Sequence, residues 1–477
     1  MKYILDERYR LRGWQNAHTG IYDTAMKTPR FFPKDLFLLL MRCDGAHDLD
    51  ESRLSEREKK LLADVKKAGM IRPAGFAEFL RQEQEYKVYP APYKQWVHWS
   101  VTGACNLKCR HCFMSAPHAK HGAPTFGQLI AIADQLAECG VFRVGITGGE
   151  PLIREDFLDI IDALNEREIG VDTIYTNGWL VDEAFLDALD KRHVHPSFQL
   201  SYDGVGWHDF LRGVPGAEER TLRALKLLQE RKHPVSVSMS MHRKNRHVLR
   251  ESVNLMASLG VGVMKCGSLL ELGEWARPEL RDLRLTKEEE LEMLEAYIPQ
   301  YFEDDAPLSI LLLDIFRYSP GAPRWEMDNR RECSPEEEAR TLACGVSPTF
   351  FYIGAEGMVC PGMGMADCGY AKNFQNLFGT PLKDILSGER FTALYCANVG
   401  EIQDHNPKCR TCAYVDRCIG GSRTDALTAG DDYYGIDPNQ CWFFEHDGEA
   451  RIERAAKDAF EAYLERNNKE GGRSHSN

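Results

Sequence analysis

Apolar and polar positions alternate in short blocks through the middle of the chain. Six runs rich in β-branched and aromatic residues are each followed by an amphipathic stretch long enough for a crossover helix. The predicted strands are 96–101, 142–147, 171–176, 197–202, 235–241 and 261–266. Because right-handed βα units roll their buried parallel strands into a barrel or part of one, this pattern predicts an α/β fold, a partial (β/α)6 barrel, over residues 93–325. Ligands then collect where the strands end.

The regions on either side of this barrel have different patterns. Residues 1–92 predict a small separate module that ends in a polar linker. Its predicted elements are an apolar helix at 36–41, a turn at 43–45, an amphipathic helix at 54–68 and an edge strand at 70–71. Residues 326–445 form a cysteine-rich region, and residues 446–477 predict a charged C-terminal helix with a polar tail.

Composition narrows the class of protein. With 43% hydrophobic and 27% charged residues in 477, the chain has the balance of a water-soluble globular protein. It contains no apolar run long enough for a membrane helix and no signal-peptide core, so we expect a cytoplasmic protein with no membrane partner. The net charge of -13 speaks against nucleic acid as a partner. In a reducing compartment, 15 cysteines favour metal sites over disulfides.

Three of these cysteines, Cys105, Cys109 and Cys112, stand close together in a C-x3-C-x2-C run after the first predicted strand. Thiolates on one short loop can bend toward a single soft-metal centre and leave one coordination position open. The alternatives are unrelated cysteines or part of a zinc site, whose usual spacing pairs two C-x2-4-C units.

A glycine-rich turn, residues 148–151, follows the second predicted strand. Gly148 and Gly149 allow close backbone approach to a ligand, Glu150 can pair with an ammonium group, and Pro151 fixes the turn. Together the two motifs resemble the signature of radical S-adenosylmethionine (SAM) enzymes. The resemblance implies a [4Fe-4S] cluster on the three cysteines and SAM at its fourth iron. His111 then fills the aromatic position before the last cysteine.

Further candidates lie at the ends of the third and fourth strands. The resemblance implies that Asn177, Ser201 and Arg212 hold the ribose or the carboxylate of SAM. The alternative for each is a turn residue, because Asn-Gly and Asp-Gly pairs often only reverse the chain.

A second group of cysteines lies near the carboxyl terminus: Cys409, Cys412, Cys418 and Cys441. Their C-x2-C-x5-C spacing and distal cysteine resemble the SPASM extension, which binds auxiliary iron-sulfur clusters; a four-thiolate zinc site is the alternative. Cys344 and Cys360 fit two ligands of an inner auxiliary cluster. Ser422 stands where the pattern has a cysteine, so Cys368, Cys333 or Cys396 would have to substitute, or the cluster is smaller, has an open iron, or is absent. The resemblance thus implies one or two auxiliary clusters.

The remaining cysteines, Cys43, Cys139 and Cys266, lie in predicted helices or strands, so we expect them to be buried structural residues.

The amino-terminal module resembles, in pattern only, a winged-helix peptide-recognition element, which pairs a leader peptide with a strand edge. A packing domain or a DNA binder is the alternative. The leading hypothesis is therefore a maturase that abstracts hydrogen from a ribosomally made precursor peptide to install a thioether, C-C or C-O crosslink. A flavodoxin- or ferredoxin-type protein would donate the electron.

Three other functions stay open at this point. An anaerobic sulfatase-maturing enzyme would carry Asp where Pro361 stands. An enzyme acting on a small-molecule cofactor precursor would not need residues 1–92. A metal-stabilised binding or electron-transfer scaffold would not be an enzyme at all.

Overall fold

A long, mostly parallel sheet organises the chain. The computed structural model describes residues 1–16, 19–25, 28–330, 342–343 and 349–471. The first part of the sheet and its helices comprise β8 (Trp96–Ser100), α3 (Phe126–Glu138), β9 (Arg143–Thr147), α4 (Phe157–Glu166), β10 (Gly170–Thr176), α5 (Glu183–Lys191), β11 (Ser197–Ser201), α6 (His208–Arg212) and α7 (Ala217–Glu230). The second part comprises β12 (Val235–Ser240), α8 (Leu249–Ser258), β13 (Val263–Gly267), α9 (Lys287–Glu303), β14 (Ser309–Leu312), β15 (Phe316–Ser319) and β16 (Ala322–Met327).

The predicted α/β architecture is confirmed, and the sheet is larger than predicted. Strands β8 to β13 correspond to the six predicted strands and pair in parallel in chain order. Two further parallel strands flank them, β14 beside β13 and β17 (Phe350–Ile353) beside β8. The sheet therefore has eight parallel strands in the described residues, and β17 comes from the region assigned to the cysteine-rich domain.

Strand β12 shows how the sequence pattern positions the two faces of the sheet. Val235, Val237 and Met239 are buried against the covering helices. Ser238 and Ser240 alternate with them and point to the concave face, where they line a cavity. The concave face is thus polar, and the convex face carries the main apolar core.

The amino-terminal unit has a core of its own. Its elements are β1 (Lys2–Leu5), β2 (Tyr9–Gly13), β3 (Gly20–Asp23), β4 (Thr28–Phe31), α1 (Lys34–Met41), β5 (Asp44–Asp48), α2 (Glu56–Lys67), β6 (Ile71–Pro73) and β7 (Lys87–Val88). Strands β5, β1 and β6 form one antiparallel sheet, in which β6 is an edge strand. A capping box between Ser55 and Glu58 begins α2.

An aromatic cluster joins this unit to the sheet. Trp14, Tyr22, Tyr89 and Tyr93 pack around Phe142, which directly precedes β9. The ring of Tyr22 stacks on that of Phe142 at a centroid distance of 4.2 Å, and the Trp14 ring meets it edge-on at 5.8 Å. Burial of these large apolar rings holds the unit against the sheet.

The carboxyl-terminal region begins with β17 and continues through short helices. Its other elements are β18 (Met358–Cys360), β19 (Gln375–Asn376), α10 (Leu382–Ser387), α11 (Glu389–Tyr395), α12 (Val399–His405), α13 (Pro407–Arg410), α14 (Arg423–Gly430), α15 (Pro438–Glu445) and α16 (Gly448–Gly471). The last helix packs on α9, where Arg451 forms ion pairs with Glu288 and Glu295.

The cysteines expected to be structural are buried. Cys43, Cys139 and Cys266 are each at most 1% exposed, and each belongs to an apolar core. Among the described residues, no helix is long and apolar enough to cross a bilayer.

We predict that Phe142→Ala loosens the amino-terminal unit from the sheet. Removing the central ring leaves a cavity among four aromatic side chains, which should lower the free energy of unfolding by about 3 kcal/mol or more. Urea unfolding followed by tryptophan fluorescence measures the loss. Phe126→Ala, at a partly exposed position, is the control; equal destabilisation by both changes would contradict the prediction.

Candidate functional site

The loop that follows β8 carries its three cysteines into one cavity of about 330 Å³ at the carboxyl ends of the parallel strands. Cys105, Cys109 and Cys112 all line this cavity, as the C-x3-C-x2-C spacing predicted. None of them forms a disulfide.

Each of the three sulfurs accepts a hydrogen bond. Cys105 Sγ accepts from the Leu107 amide at 3.4 Å, and Cys112 Sγ from the Ala116 amide at 3.2 Å. Cys109 Sγ accepts from Arg212 Nη1 at 3.8 Å. Such N-H donors favour thiolates, the form that binds metal.

Burial has the opposite effect on the thiols when no metal is bound, because it disfavours the charged thiolate. It raises the pKa of Cys105 to about 12 and that of Cys112 to about 11. A soft metal centre supplies the positive charge that ionises such buried thiols. The residues therefore fit a group held by three thiolates.

Glycines on neighbouring loops allow this loop to pack tightly. A Cβ on Gly149 would lie 2.1 Å from the Ala104 carbonyl oxygen, and one on Gly213 would lie 2.2 Å from that of Lys108. Only glycine permits such close contact between two backbones. Gly148 and Gly149 also line the cavity.

Glu150 and Pro151 are not among the residues that line the cavity, and the contact of the Glu150 carboxylate with a ligand ammonium group stays a prediction. Glu150 is fully buried and accepts hydrogen bonds from Thr176 Oγ1 at 2.8 Å and the Asn177 amide at 2.7 Å. Burial raises its pKa to about 7. Its carboxylate therefore ties the end of β9 to the end of β10.

The other predicted SAM-site residues all line the cavity: His111, Asn177, Ser201 and Arg212. Asn177 Nδ2 donates to Asn106 Oδ1 at 2.8 Å, within the cysteine loop. Burial lowers the pKa of His111 to about 3, so its ring is neutral.

Several lining residues were missed from the sequence. They are Tyr175, Gln199, Ser238, Ser240, Ser268 and Met363. The polar positions of β12 were visible in its alternating pattern and could have been predicted. Met363 had no such signal, because it lies far along the chain and reaches the cavity only through the pairing of β17 with β8.

The four carboxyl-terminal cysteines also come together. Cys409, Cys412, Cys418 and Cys441 line a separate small cavity of about 40 Å³, which Tyr414 and Phe444 close on the apolar side. This arrangement suits either a zinc ion or an iron-sulfur cluster.

The inner cysteines are arranged differently. Cys360 and Cys368 lie in one buried apolar cluster, where their thiols donate to the carbonyl oxygens of Gly362 and Met365. Cys396 is exposed at the end of α11. Cys344 and Cys333 lie outside the described residues. The Ser422 hydroxyl accepts a hydrogen bond from the Asp425 amide and caps the start of α14.

A charged contact links the cysteine loop region to the carboxyl-terminal region. His121 Nδ1 lies 3.0 Å from a Glu356 oxygen, and its Nε2 lies 3.6 Å from Asp367. Lys120 also pairs with Asp367. The nearby carboxylates of Asp367 and Glu356 raise the pKa of His121 to about 9. The ring is therefore protonated at neutral pH.

Residues 99–256 match the profile of the Radical SAM superfamily. Similar proteins include an AdoMet-dependent heme synthase from Methanosarcina barkeri, 25% identical over 358 residues that cover 72% of this chain and 95% of that protein. A PqqA peptide cyclase from Granulibacter bethesdensis is 28% identical over 203 residues, which cover 42% of this chain and 53% of that protein.

Among solved structures, Streptococcus suis SuiB bound to precursor peptide SuiA is similar in fold. The TM-score is 0.61 at 15% identity, over 92% of this chain and 100% of that one. The match covers 92% of this chain, whereas residues 93–477 alone are about four fifths of it. The similarity in fold therefore extends into the amino-terminal unit.

We predict that the His121 contact stabilises the protein in a pH-dependent way. A histidine whose pKa is raised in the folded state contributes fully below its unfolded pKa of about 6.5, and the contribution is lost as pH rises through about 9. His121→Gln should therefore cost about 2 kcal/mol near pH 6. Thermal unfolding of both proteins from pH 6 to pH 10 measures the difference, and a difference that does not shrink with rising pH would contradict the prediction.

Proposed function

Residues 99–256 form a radical SAM domain, and on this premise we propose that the protein is a radical SAM enzyme that modifies a ribosomally made precursor peptide. The single observation that carries the proposal is the cavity in which three cysteines meet the glycine turn and the polar strand ends. The PqqA peptide cyclase relative and the fold shared with SuiB, which was solved bound to its precursor peptide, support a peptide substrate.

Cys105, Cys109 and Cys112 would hold a [4Fe-4S] cluster, and Gly148, Gly149, Asn177, Ser201 and Arg212 would hold SAM. When bound and reduced, this pair supplies a 5'-deoxyadenosyl radical that removes a hydrogen atom from substrate. The protein itself positions the substrate and excludes water from the cavity. Leu269, Leu270 and Met363 form apolar parts of the cavity wall, which keep competing hydrogen donors away from the reacting carbon.

A second cavity of about 650 Å³ offers a route for the substrate. It shares Ser268 and Leu270 with the first cavity and extends between the barrel and α15. Several of the charged side chains on its wall pair with each other, such as Lys287 with Glu290 and Arg317 with Asp328. A peptide segment fits this open, polar passage better than a small compact substrate does.

The amino-terminal unit is proposed to act as a winged-helix-like module that binds the leader of the precursor. Strand β6 is an edge strand, and an extended peptide can pair with such an edge. The loop after β6 exposes two aromatic side chains, Phe76 and Phe79. Its Phe79 end lies against Gly45 of β5, the strand at the other edge of the same sheet. Exposed aromatic rings on a small sheet with accessible edges are suited to anchoring a peptide.

The carboxyl-terminal region is proposed to be a SPASM-type domain. Cys409, Cys412, Cys418 and Cys441 would hold an auxiliary cluster, which can accept the electron released when a thioether, C-C or C-O crosslink forms. Cys344 and Cys360 remain candidates for an inner cluster. A flavodoxin- or ferredoxin-type protein is the proposed electron donor.

The heme synthase relative supports a second candidate, a radical SAM enzyme that acts on a small-molecule cofactor precursor. The amino-terminal unit distinguishes the two, because a small molecule would not need it. The sulfatase-maturing alternative is disfavoured by Pro361, which has no side chain that could act as a base.

We predict that the Cys105/Cys109/Cys112→Ala variant loses about four iron atoms per chain relative to the anaerobically reconstituted parent protein. It should also lose the reductant-dependent formation of 5'-deoxyadenosine from SAM. Iron and sulfide assays and chromatography of the products measure both effects.

Two results would contradict the radical SAM assignment. One is full iron content in the triple variant, and the other is an iron-loaded parent protein that does not cleave SAM. Cys139→Ala is the matched control, because it removes a buried thiol away from the cavity.

We predict that Phe76→Ser combined with Phe79→Ser weakens leader binding at least tenfold. The probe is the fluorescently labelled leader of the precursor peptide encoded beside this gene, and anisotropy titration measures its Kd. Phe378→Ser, at another exposed aromatic position, should leave the Kd unchanged. SAM cleavage should persist in all variants, so unchanged leader affinity in the double variant would reject the peptide-binding role and not the radical chemistry.

A further inference from the structure

A buried hydrogen-bonded chain connects two of the three cavity cysteines through the protein interior. It begins at Cys109, whose Sγ accepts from Arg212 Nη1 at 3.8 Å. The same guanidinium donates from Nε to Asp203 Oδ2 at 2.7 Å. Asp203 is fully buried, and Arg212 is 8% exposed. The ion pair therefore presents a fixed cation to a cluster-ligand sulfur.

Asp203 is itself held from two other elements. Its Oδ1 accepts from the Ser240 amide at 3.1 Å, at the end of β12. Its amide donates to His208 Nδ1 at 3.0 Å, at the start of α6. The Ser240 amide fixes the carboxylate and the His208 ring fixes the Asp203 backbone, so Asp203 determines where the Arg212 guanidinium lies.

The chain continues to the second cysteine. Because His208 Nδ1 accepts, its Nε2 carries the proton and donates to Thr221 Oγ1 at 3.2 Å. Thr221 Oγ1 donates to the Asn177 carbonyl oxygen at 3.1 Å. The Asn177 side chain then reaches the cysteine loop, with Nδ2 at 2.8 Å from Asn106 Oδ1 and 3.9 Å from Cys105 Sγ.

We propose that Asp203 is a positioning residue which holds Arg212 against Cys109, so that the guanidinium raises the reduction potential of the cluster on Cys105, Cys109 and Cys112. The inference rests on the proposed function. It gives Arg212 a task that is separate from any contact with SAM, and it gives Asp203, which the sequence analysis did not single out, a role in electron uptake.

The physical reason is electrostatic. Reduction adds an electron to the cluster, and a cation a few ångströms from a ligand sulfur stabilises the added charge strongly in a buried site. Removing the guanidinium should therefore shift the midpoint potential to a more negative value.

The test is a redox titration of the reconstituted, SAM-free protein, followed by electron paramagnetic resonance. The [4Fe-4S] signal that changes when SAM is added to a parallel sample identifies the relevant cluster. Arg212→Gln should lower its midpoint potential, and Arg212→Lys, which keeps the charge, should lower it less. Asp209→Asn is the control on the same helix, because Asp209 bonds to backbone amides of residues 216 and 218 and not to a cysteine.

A double-mutant cycle of Asp203 and Arg212 tests the role of Asp203. If Asp203 positions Arg212, the shift caused by Arg212→Gln becomes much smaller in the Asp203→Asn background. An equal shift in both backgrounds would overturn the positioning role. If Asp203→Asn does not fold, the comparison of Arg212→Gln with Arg212→Lys still decides whether the charge acts on the cluster.

Other outcomes separate this inference from the proposed function. An unchanged potential in Arg212→Gln, with full iron content and a SAM-responsive signal, overturns the inference alone. Equal shifts in the Gln and Lys variants overturn it as well, because the charge would then not be the cause. Absence of any SAM-responsive iron signal in the parent protein overturns the proposed function itself.

Discussion

The close contact between the cysteine loop and its neighbouring loops is the constraint on which the site depends. Three thiols on a short loop can converge only if the loop backbone is held in one conformation. Gly149 and Gly213 provide this from two sides, because neither position has room for a side chain against the loop carbonyls. The hydrogen bonds to the three sulfurs then fix the direction of each side chain. Burial raises the pKa values of these thiols, so they stay protonated until a metal centre ionises them.

The parallel sheet brings distant parts of the chain to this loop. Pairing of β17 with β8 places the carboxyl-terminal region directly beside the strand that leads into the cysteines. That single pairing explains why Met363 lines the cavity and why His121 meets Glu356 and Asp367. At the other side, the aromatic cluster around Phe142 fixes the amino-terminal unit to the start of β9. The three regions are therefore coupled through the first two strands of the sheet.

The same residue type serves different purposes in different surroundings. Glu150 was expected to face a ligand, but burial and three neutral donors make it a structural tie between strand ends. Ser422 occupies the place of an expected cysteine and caps a helix. Asp203, which follows Ser201 by two residues and was not singled out from the sequence, lies at the centre of a buried polar network. In each case the neighbours, and not the side chain alone, determine the role.

The sequence alone determined the α/β class, six of the parallel strands and the two groups of cysteines, because hydrophobic periodicity and motif spacing are local properties of the chain. It also indicated Asn177, Ser201 and Arg212 as residues near the strand ends. Only the tertiary structure decided which strands flank those six, where Met363 lies, that Glu150 bonds to the end of β10, and that Asp203 holds Arg212 beside Cys109. These features depend on contacts between residues far apart in sequence, and local patterns carry no information about such contacts.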